Sequence, residues 1–182
     1  EHPNVAMALG NLGNVFNIQS RFAEAELLFK QSLKINEKVL GPHHPYVAKS
    51  LNVLANIYIY KPSYDEAELL LQRSLSIFEK TLGKEHPDIS YILNNFAILY
   101  EKKGDYTKAE KFLKRAITVQ EKGLGRGHPL ITHNLNALGL LYSKQGRYAE
   151  AEIIFNRAYM IAEKAFGPEH LQAGITLNNL AL

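Results

Sequence analysis

The chain has 182 residues, of which 46% are hydrophobic, a fraction typical of a folded domain that argues against a disordered chain. The formal net charge of +3 is too small for the dense basic face of a nucleic-acid-binding protein. There are no cysteines, which excludes disulfides, thiolate metal ligands and a thiol nucleophile, and no apolar run approaches the ~20 residues that span a bilayer. The lack of cysteine is typical of a reducing compartment, so we expect a cytoplasmic location.

One pattern, opening with histidine, recurs at a fixed interval of 42 residues, without insertion or deletion. The copies begin at His2, His44, His86, His128 and His170. A fixed period between 20 and 50 residues indicates a repeat architecture in which each unit packs on its neighbours. We therefore expect a single solenoid domain over residues 1–182. Its repeats are 2–43, 44–85, 86–127, 128–169 and a truncated fifth repeat, 170–182.

Each repeat is predicted to form two helices. A histidine–proline pair opens the first, because proline is preset for the first helical position. In repeat one its packing stripe is Leu9, Leu12, Gly13 and Phe16, and that of the second helix is Phe22, Ala25, Phe29 and Ser32. Glycines at 41, 83, 125 and 167 are expected to end the second helices in a left-handed conformation. Ser63 and Asp105 are expected to cap second helices.

The succession of leucine, small residue, aromatic, glycine-X-tyrosine, alanine, aromatic and alanine resembles the tetratricopeptide repeat. The 42-residue period and the linker Leu-Gly-X-X-His-Pro at 40–45 and 82–87 resemble the kinesin-light-chain type of that repeat. Leucine in place of the consensus tryptophan and the missing closing proline also fit this type. The resemblance covers essentially the whole chain without making it a kinesin light chain. It implies an all-α, right-handed superhelical solenoid of antiparallel helix pairs, with first helices lining a concave groove.

Asparagine recurs at one first-helix position outside the packing stripe. The carboxamides are Asn52, Asn94, Asn136 and Asn178, and repeat one has Gly10 there. A carboxamide both donates and accepts hydrogen bonds, so it suits the backbone of an extended peptide. We therefore expect a ladder of peptide-binding asparagines. The alternative is that these side chains bond to a neighbouring helix and set the spacing between repeats.

Other first-helix residues outside the stripe surround this column. They are Lys49, Tyr91, His133, Asn14, Asn56, Lys102 and Lys144. Lysines beside an aromatic residue favour acidic peptides with an apolar anchor. The resemblance implies the same ligand class, because kinesin-light-chain arrays bind acidic motifs that contain tryptophan or tyrosine. The alternative for each lysine is a solvated helix end.

The sequence predicts neither a metal site nor an active site. Histidines 42 residues apart are too distant to share one ion, and neither His43 with His44 nor His128 with His133 has the i, i+4 spacing of a helical metal site. We interpret the repeated histidine as a structural device at the start of each first helix. No phosphate-binding loop or nucleophile elbow is present. Acidic pairs such as Glu24 and Glu26 are explained by the positive end of a helix dipole, so we expect no enzyme activity and no cofactor.

The sequence therefore predicts a protein–protein interaction scaffold that binds an extended, acidic peptide with an aromatic anchor. It predicts neither a nucleic-acid nor a membrane partner. Two alternatives stay open, which are self-association through an open solenoid end and a role as the regulatory arm of a larger protein. The pattern stops inside a first helix at residues 178–182, so we expect a fragment of a longer repeat protein.

Overall fold

The computed structural model describes residues 2–180, apart from the side chain of Pro3, so the two ends of the predicted domain, residues 1 and 181–182, lie outside the described residues. Within this range there are nine α-helices and no strand. The helices are α1 (Pro3–Ile18), α2 (Phe22–Leu40), α3 (Pro45–Tyr60), α4 (Tyr64–Thr81), α5 (Ile89–Lys102), α6 (Tyr106–Leu124), α7 (Ile131–Lys144), α8 (Tyr148–Phe166) and α9 (Leu171–Leu180).

The helices form two compact units, Glu1–Lys84 with α1 to α4 and Glu85–Leu182 with α5 to α9. In each unit the two helices of a repeat pack on each other, and each second helix packs on the next first helix. The predicted all-α fold of repeated helix pairs is thus confirmed. The assignment of all 182 residues to one domain stays a prediction.

The repeated histidine makes the same local hydrogen bond at the start of every repeat. Its Nδ1 atom accepts a hydrogen bond of 3.2 Å from the backbone N–H two residues later, at all five positions. At His2 and His44, the N-cap residues of α1 and α3, this bond satisfies one of the N–H groups that a helix start leaves without a partner. At His86 and His128 it lies in the turn that precedes α5 and α7. The predicted structural role is therefore confirmed.

The expected position of proline at the helix start holds in only two of the four repeats in which a proline follows the histidine. Helices α1 and α3 begin at Pro3 and Pro45. Helices α5 and α7 begin two residues after their prolines, because a tighter turn precedes them, with Ser90 N–H donating to the carbonyl of Pro87 over 3.0 Å. These two first helices are consequently only 14 residues long.

Three of the four second helices end as expected at glycines, but in a different conformation, whereas α4 ends at Thr81, two residues before Gly83. Gly41, Gly125 and Gly167 have φ between 86° and 92° with ψ between 149° and 161°, outside the left-handed helical region. Only glycine occupies this part of the map readily. At the helix starts, Asp105 accepts a 3.0 Å bond from Lys108 N–H as predicted, whereas the predicted cap at Ser63 makes no such bond.

Candidate functional site

A cavity of about 370 Å³ lies in the first unit, and α1, α2 and α3 supply most of its lining. Apolar side chains and small polar side chains share the surface. The lining residues are Asn4, Ala6, Met7, Gly10, Asn11, Asn14, Phe29, Ser32, Asn36, Leu40, Tyr46, Lys49, Ser50 and Val53. Among them Lys49 is the one cation and there is no carboxylate, so the rim of the cavity favours a negatively charged ligand.

The cavity is open because repeat one carries glycine in the asparagine column. A Cβ atom added to Gly10 would approach its nearest neighbour, Ser32 Oγ, only to 3.8 Å, so nothing packs tightly against this backbone. The equivalent of Gly10 in repeat three is Asn94, whose Nδ2 donates to Asn134 Oδ1 over 2.9 Å. In the second unit, the carboxamides of Asn94 and Asn134 stand at the repeat positions of Gly10 and Ser50. They fill there the space that the two smaller residues leave empty in the first unit.

Three polar groups on the cavity wall, those of Ser32, Asn36 and Ser50, are already held by hydrogen bonds. Ser32 Oγ donates to the carbonyl of Ala6 over 2.7 Å, and Asn36 Nδ2 donates to Ser50 Oγ over 3.1 Å. Ser50 in turn donates to the carbonyl of Tyr46 over 3.0 Å. The wall is therefore a preformed surface that needs little reordering to receive a ligand.

Two of the predicted peptide-binding asparagines are used inside the second unit. Asn94 and Asn136 are each only 8% exposed. Asn94 bonds to Asn134, whose Nδ2 donates to Gln120 Oε1 over 2.8 Å, and Asn136 Nδ2 donates to Thr176 Oγ1 over 3.1 Å. These bonds link α5 to α7 and α7 to α9, which is the alternative that the sequence left open. Asn136 Oδ1 is buried without a partner among the described residues.

The remaining predicted site residues divide between the two units. In the first, Asn14 and Lys49 lie on the cavity, while Asn52 and Asn56 are half-buried on α3. Lys49 Nζ stands 5.8 Å from the centre of the Tyr46 ring. In the second unit, the exposed residues are Tyr91, Lys102, His133, Lys144 and Asn178. Lys144 forms an ion pair with Glu101, which compensates its charge.

A cluster that the sequence interpretation missed joins consecutive repeats through a half-buried glutamate. Glu110 on α6 accepts a 3.0 Å bond from the Tyr142 hydroxyl and a 2.6 Å bond from Arg147, and it pairs with Lys114 at 2.6 Å. Burial raises the pKa of Glu110, but the bonds from Arg147, Lys114 and Tyr142 outweigh it and lower the pKa to about 2. The cluster fastens α7 onto α6.

The same cluster occurs in the first unit, where Glu26 accepts bonds from Tyr58 at 3.0 Å and Lys61 at 2.5 Å. Burial raises the pKa of Glu26, but the bonds from Lys30, Lys61 and Tyr58 outweigh this effect and lower the pKa to about 2. The contacts of Glu26 with Tyr58 and Lys61, rather than a helix dipole, are therefore the main reason for a glutamate at this position. The signal available in the sequence was the repeated pairing of a glutamate with a tyrosine 32 residues later.

Neither a membrane-spanning helix nor a metal-binding group of side chains occurs in the part of the chain that the structure describes. None of the described helices is both long enough and apolar enough to cross a membrane. Over residues 2–180, no three side chains of the types His, Cys, Asp or Glu are grouped to hold a metal ion.

The repeated helix pairs define the fold as a repeat scaffold. The comparison of the sequence with protein families gives the same class of protein. The profile of the tetratricopeptide repeat family matches residues 4–80, 63–122 and 129–182. The chain belongs to the tetratricopeptide repeat family. No curated protein matches it at a significant level.

Solved structures with this fold include proteins of the kinesin-light-chain type. Over the whole chain, it is 27% identical to a kinesin-light-chain candidate of Podosopora anserina with nearly identical TPR-like repeats, with a TM-score of 0.80 and 86% of that chain covered. Over 93% of its length it is 22% identical to BtubC (BKLC) from P. vanneervenii, with a TM-score of 0.77 and 68% of that chain covered. The apo form of RapI is 19% identical over 99% of the chain, with a TM-score of 0.75 and 68% of that chain covered.

These likenesses confirm the predicted array of the kinesin-light-chain type. Tetratricopeptide repeats generally act as protein-interaction scaffolds, and the fold is generally not enzymatic. Which partner this chain can bind depends on the residues that the chain itself exposes.

Proposed function

We propose that this protein binds an extended, acidic peptide segment and takes up one of its aromatic side chains in the cavity of the first unit. The observation that carries the proposal is the cavity itself, which is open at Gly10 and lined mainly by apolar atoms. Its volume of about 370 Å³ is large enough for an aromatic side chain. Burial of such a side chain removes roughly 150–250 Å² of surface from water, so it is the main source of affinity.

Lys49 supplies the preference for acidic ligands. It is exposed on the rim of a cavity that has no carboxylate among its described lining residues. An exposed charge contributes up to about 1 kcal/mol to each pair, and salt screens this contribution. Lys49 therefore affects selectivity and the salt dependence of binding more than it affects total affinity.

Carboxamides on the first helices hold the backbone of the peptide. Within the first unit these are Asn14 on the cavity and Asn52 on α3. Asn94 has its donor committed to Asn134 and contributes through helix spacing instead. Asn136 is likewise buried, and its donor is committed to Thr176, so it also contributes through helix spacing.

A fluorescence-polarisation titration with three labelled peptides tests the proposal. The peptides are acidic with tryptophan, acidic without tryptophan, and basic with tryptophan. We expect saturable binding of the first alone, with affinity falling as salt rises. Equal binding of the basic peptide would contradict the role of Lys49, and equal binding of the peptide without tryptophan would contradict the role of the cavity. A mass that rises with protein concentration and no binding of any peptide would favour self-association instead.

A further inference from the structure

A second concave surface lies in the second unit. None of the predicted peptide-binding residues lines it. It is an open groove of about 730 Å³ between α8, the end of α6 and the connection that follows α6. The lining residues are Glu121, Arg126, Gly127, Arg157, Met160, Ile161, Lys164 and Ala165. Three cations and a single carboxylate therefore face this groove.

Helix α8 presents two apolar side chains to the groove, with a cation on either side of them. Arg157, Met160, Ile161 and Lys164 follow the i, i+3, i+4, i+7 spacing of one helical face. Met160 is 68% exposed, so an apolar side chain stands between two cations with nothing covering it among the described residues. This combination suits a ligand that carries both a negative charge and an apolar group.

One of the cations is already neutralised. Arg157 donates to Glu121, and the equivalent pair in the first unit, Arg73 with Glu37, is 2.6 Å long. This pair is thus a regular feature of the repeats. Arg126 and Lys164 have no acidic partner among the described residues, so the groove keeps two uncompensated positive charges.

The preceding repeat shows what binds a lysine at this position. Lys122 on α6 occupies the same repeat position as Lys164, and it forms an ion pair with the carboxylate of Glu85. The residue 37 positions before Lys164, which is the equivalent of Glu85, is Gly127. The lysine of repeat three thus pairs with a carboxylate from the end of repeat two, whereas the end of repeat three offers only Gly127 to the lysine of repeat four. The missing side chain leaves the groove open.

We propose that this groove binds an acidic segment of a protein partner, with a carboxylate of the partner in the place that Glu85 occupies beside Lys122. Lys164 and Arg126 contact the carboxylate, and the guanidinium of Arg126 suits it because its donors form a planar fork. Met160 contacts an adjacent apolar side chain. Single exposed ion pairs contribute little, so the apolar contact and the second cation are needed for measurable affinity.

This site is independent of the cavity at Gly10, and it adds a second partner contact to the proposed function. The probe for it is a labelled peptide of alternating glutamate and leucine, titrated by fluorescence polarisation. The titration is done in a Gly10→Asn background, in which the asparagine side chain occupies the cavity of the first unit. Failure of the groove and failure of the cavity then give separate results.

The decisive variant is Gly127→Glu, and Gly127→Gln is its control of nearly equal size. Both substitutions start in open space, because a Cβ on Gly127 has no atom within 4 Å. The new carboxylate of Gly127→Glu pairs with Lys164 as Glu85 pairs with Lys122, so we expect affinity to fall by about tenfold or more. Gly127→Gln keeps the affinity of the parent within about twofold.

Three results would overturn this assignment. The first is an acidic peptide that does not bind the Gly10→Asn protein, or binds no better than a peptide of alternating lysine and leucine. The second is an equal loss of affinity in Gly127→Glu and Gly127→Gln, which would show that shape rather than charge matters. Displacement of the probe by inorganic phosphate, without any saturable binding of an unlabelled acidic peptide, would also contradict a protein segment as the ligand.

Discussion

Gly139 on α7 lies directly against the ring of Phe155 on α8, and a Cβ at Gly139 would stand only 2.4 Å from Phe155 Cε1. The same relationship occurs in repeat one, where a Cβ on Gly13 would stand 2.9 Å from the ring of Phe29. Repeats two and three carry alanine with leucine at these positions. The sequence thus varies both members together, glycine with phenylalanine and alanine with leucine, to keep the volume between the two helices constant.

Gly139→Ala should destabilise the protein by about 1–3 kcal/mol, although alanine is the better helix former, because the added methyl group overlaps Phe155. Adding Phe155→Leu to that variant should restore most of the loss, since the pair then matches repeats two and three. Urea unfolding of the parent, both single variants and the double variant measures the coupling. Additive effects would contradict the volume relationship.

Acid should weaken the link between repeats that depends on Glu110. The pKa of Glu110 is about 2 in the folded protein, below its ordinary value of 4.5, so the unfolded chain takes up the proton first as pH falls. The stabilising contribution is therefore complete above about pH 4.5 and is lost between there and about pH 2. Glu110→Gln should flatten the fall in melting temperature over this range.

Glu152→Gln is the matched control for that measurement. Glu152 occupies the same repeat position as Glu110 but is exposed on α8. Its substitution should leave the acid-dependent loss of stability as it is in the parent protein. Identical pH profiles for the parent and Glu110→Gln would show that the cluster of Glu110, Tyr142 and Arg147 does not contribute to stability.

The histidine caps should be replaceable only by residues that can accept the same hydrogen bond. His44→Ala removes the acceptor for Tyr46 N–H at the start of α3 and should cost about 1 kcal/mol. His44→Asn keeps an acceptor at the N-cap position and should be the more stable of the two variants. Thermal unfolding of both compares them, and equal melting temperatures would mean that the imidazole acts through packing alone.

The two hypotheses for the asparagine column differ in whether substitution affects stability or binding. Asn94→Ala leaves Asn134, which is 2% exposed, without the donor to its Oδ1, so we expect a loss of about 1–3 kcal/mol in the free energy of unfolding. Asn178→Ala, in the same column but exposed, should change stability by less than about 0.5 kcal/mol. Weaker peptide binding by Asn94→Ala at full stability would instead support a direct contact between Asn94 and the ligand.

The period of the sequence was sufficient to predict the helix pairs and the structural role of the histidines, because both depend on residues close together in the chain. It did not predict the contacts of the asparagines, since the bond between Asn94 and Asn134 depends on which side chains α7 brings beside α5. The cavity likewise depends on Gly10, Ser50 and Asn36 together. The available signal was the departure of Gly10 from its column, just as Gly127 departs from the column of Glu85.

The proposed peptide site stands or falls with the cavity at Gly10, and two substitutions there separate binding from stability. Gly10→Ala adds a methyl group with 3.8 Å of clearance and should stabilise α1 by about 0.5–1 kcal/mol, with binding retained. Gly10→Asn places in repeat one the side chain that repeats two to five carry at this position, and it fills the cavity.

The most direct test is isothermal titration calorimetry of these two variants with the acidic, tryptophan-containing peptide. We expect Gly10→Ala to bind the peptide with nearly the affinity of the parent. Gly10→Asn, folded to the same extent by circular dichroism, should bind it at least about tenfold more weakly. Equal affinity of a folded Gly10→Asn protein would contradict the cavity as the binding site.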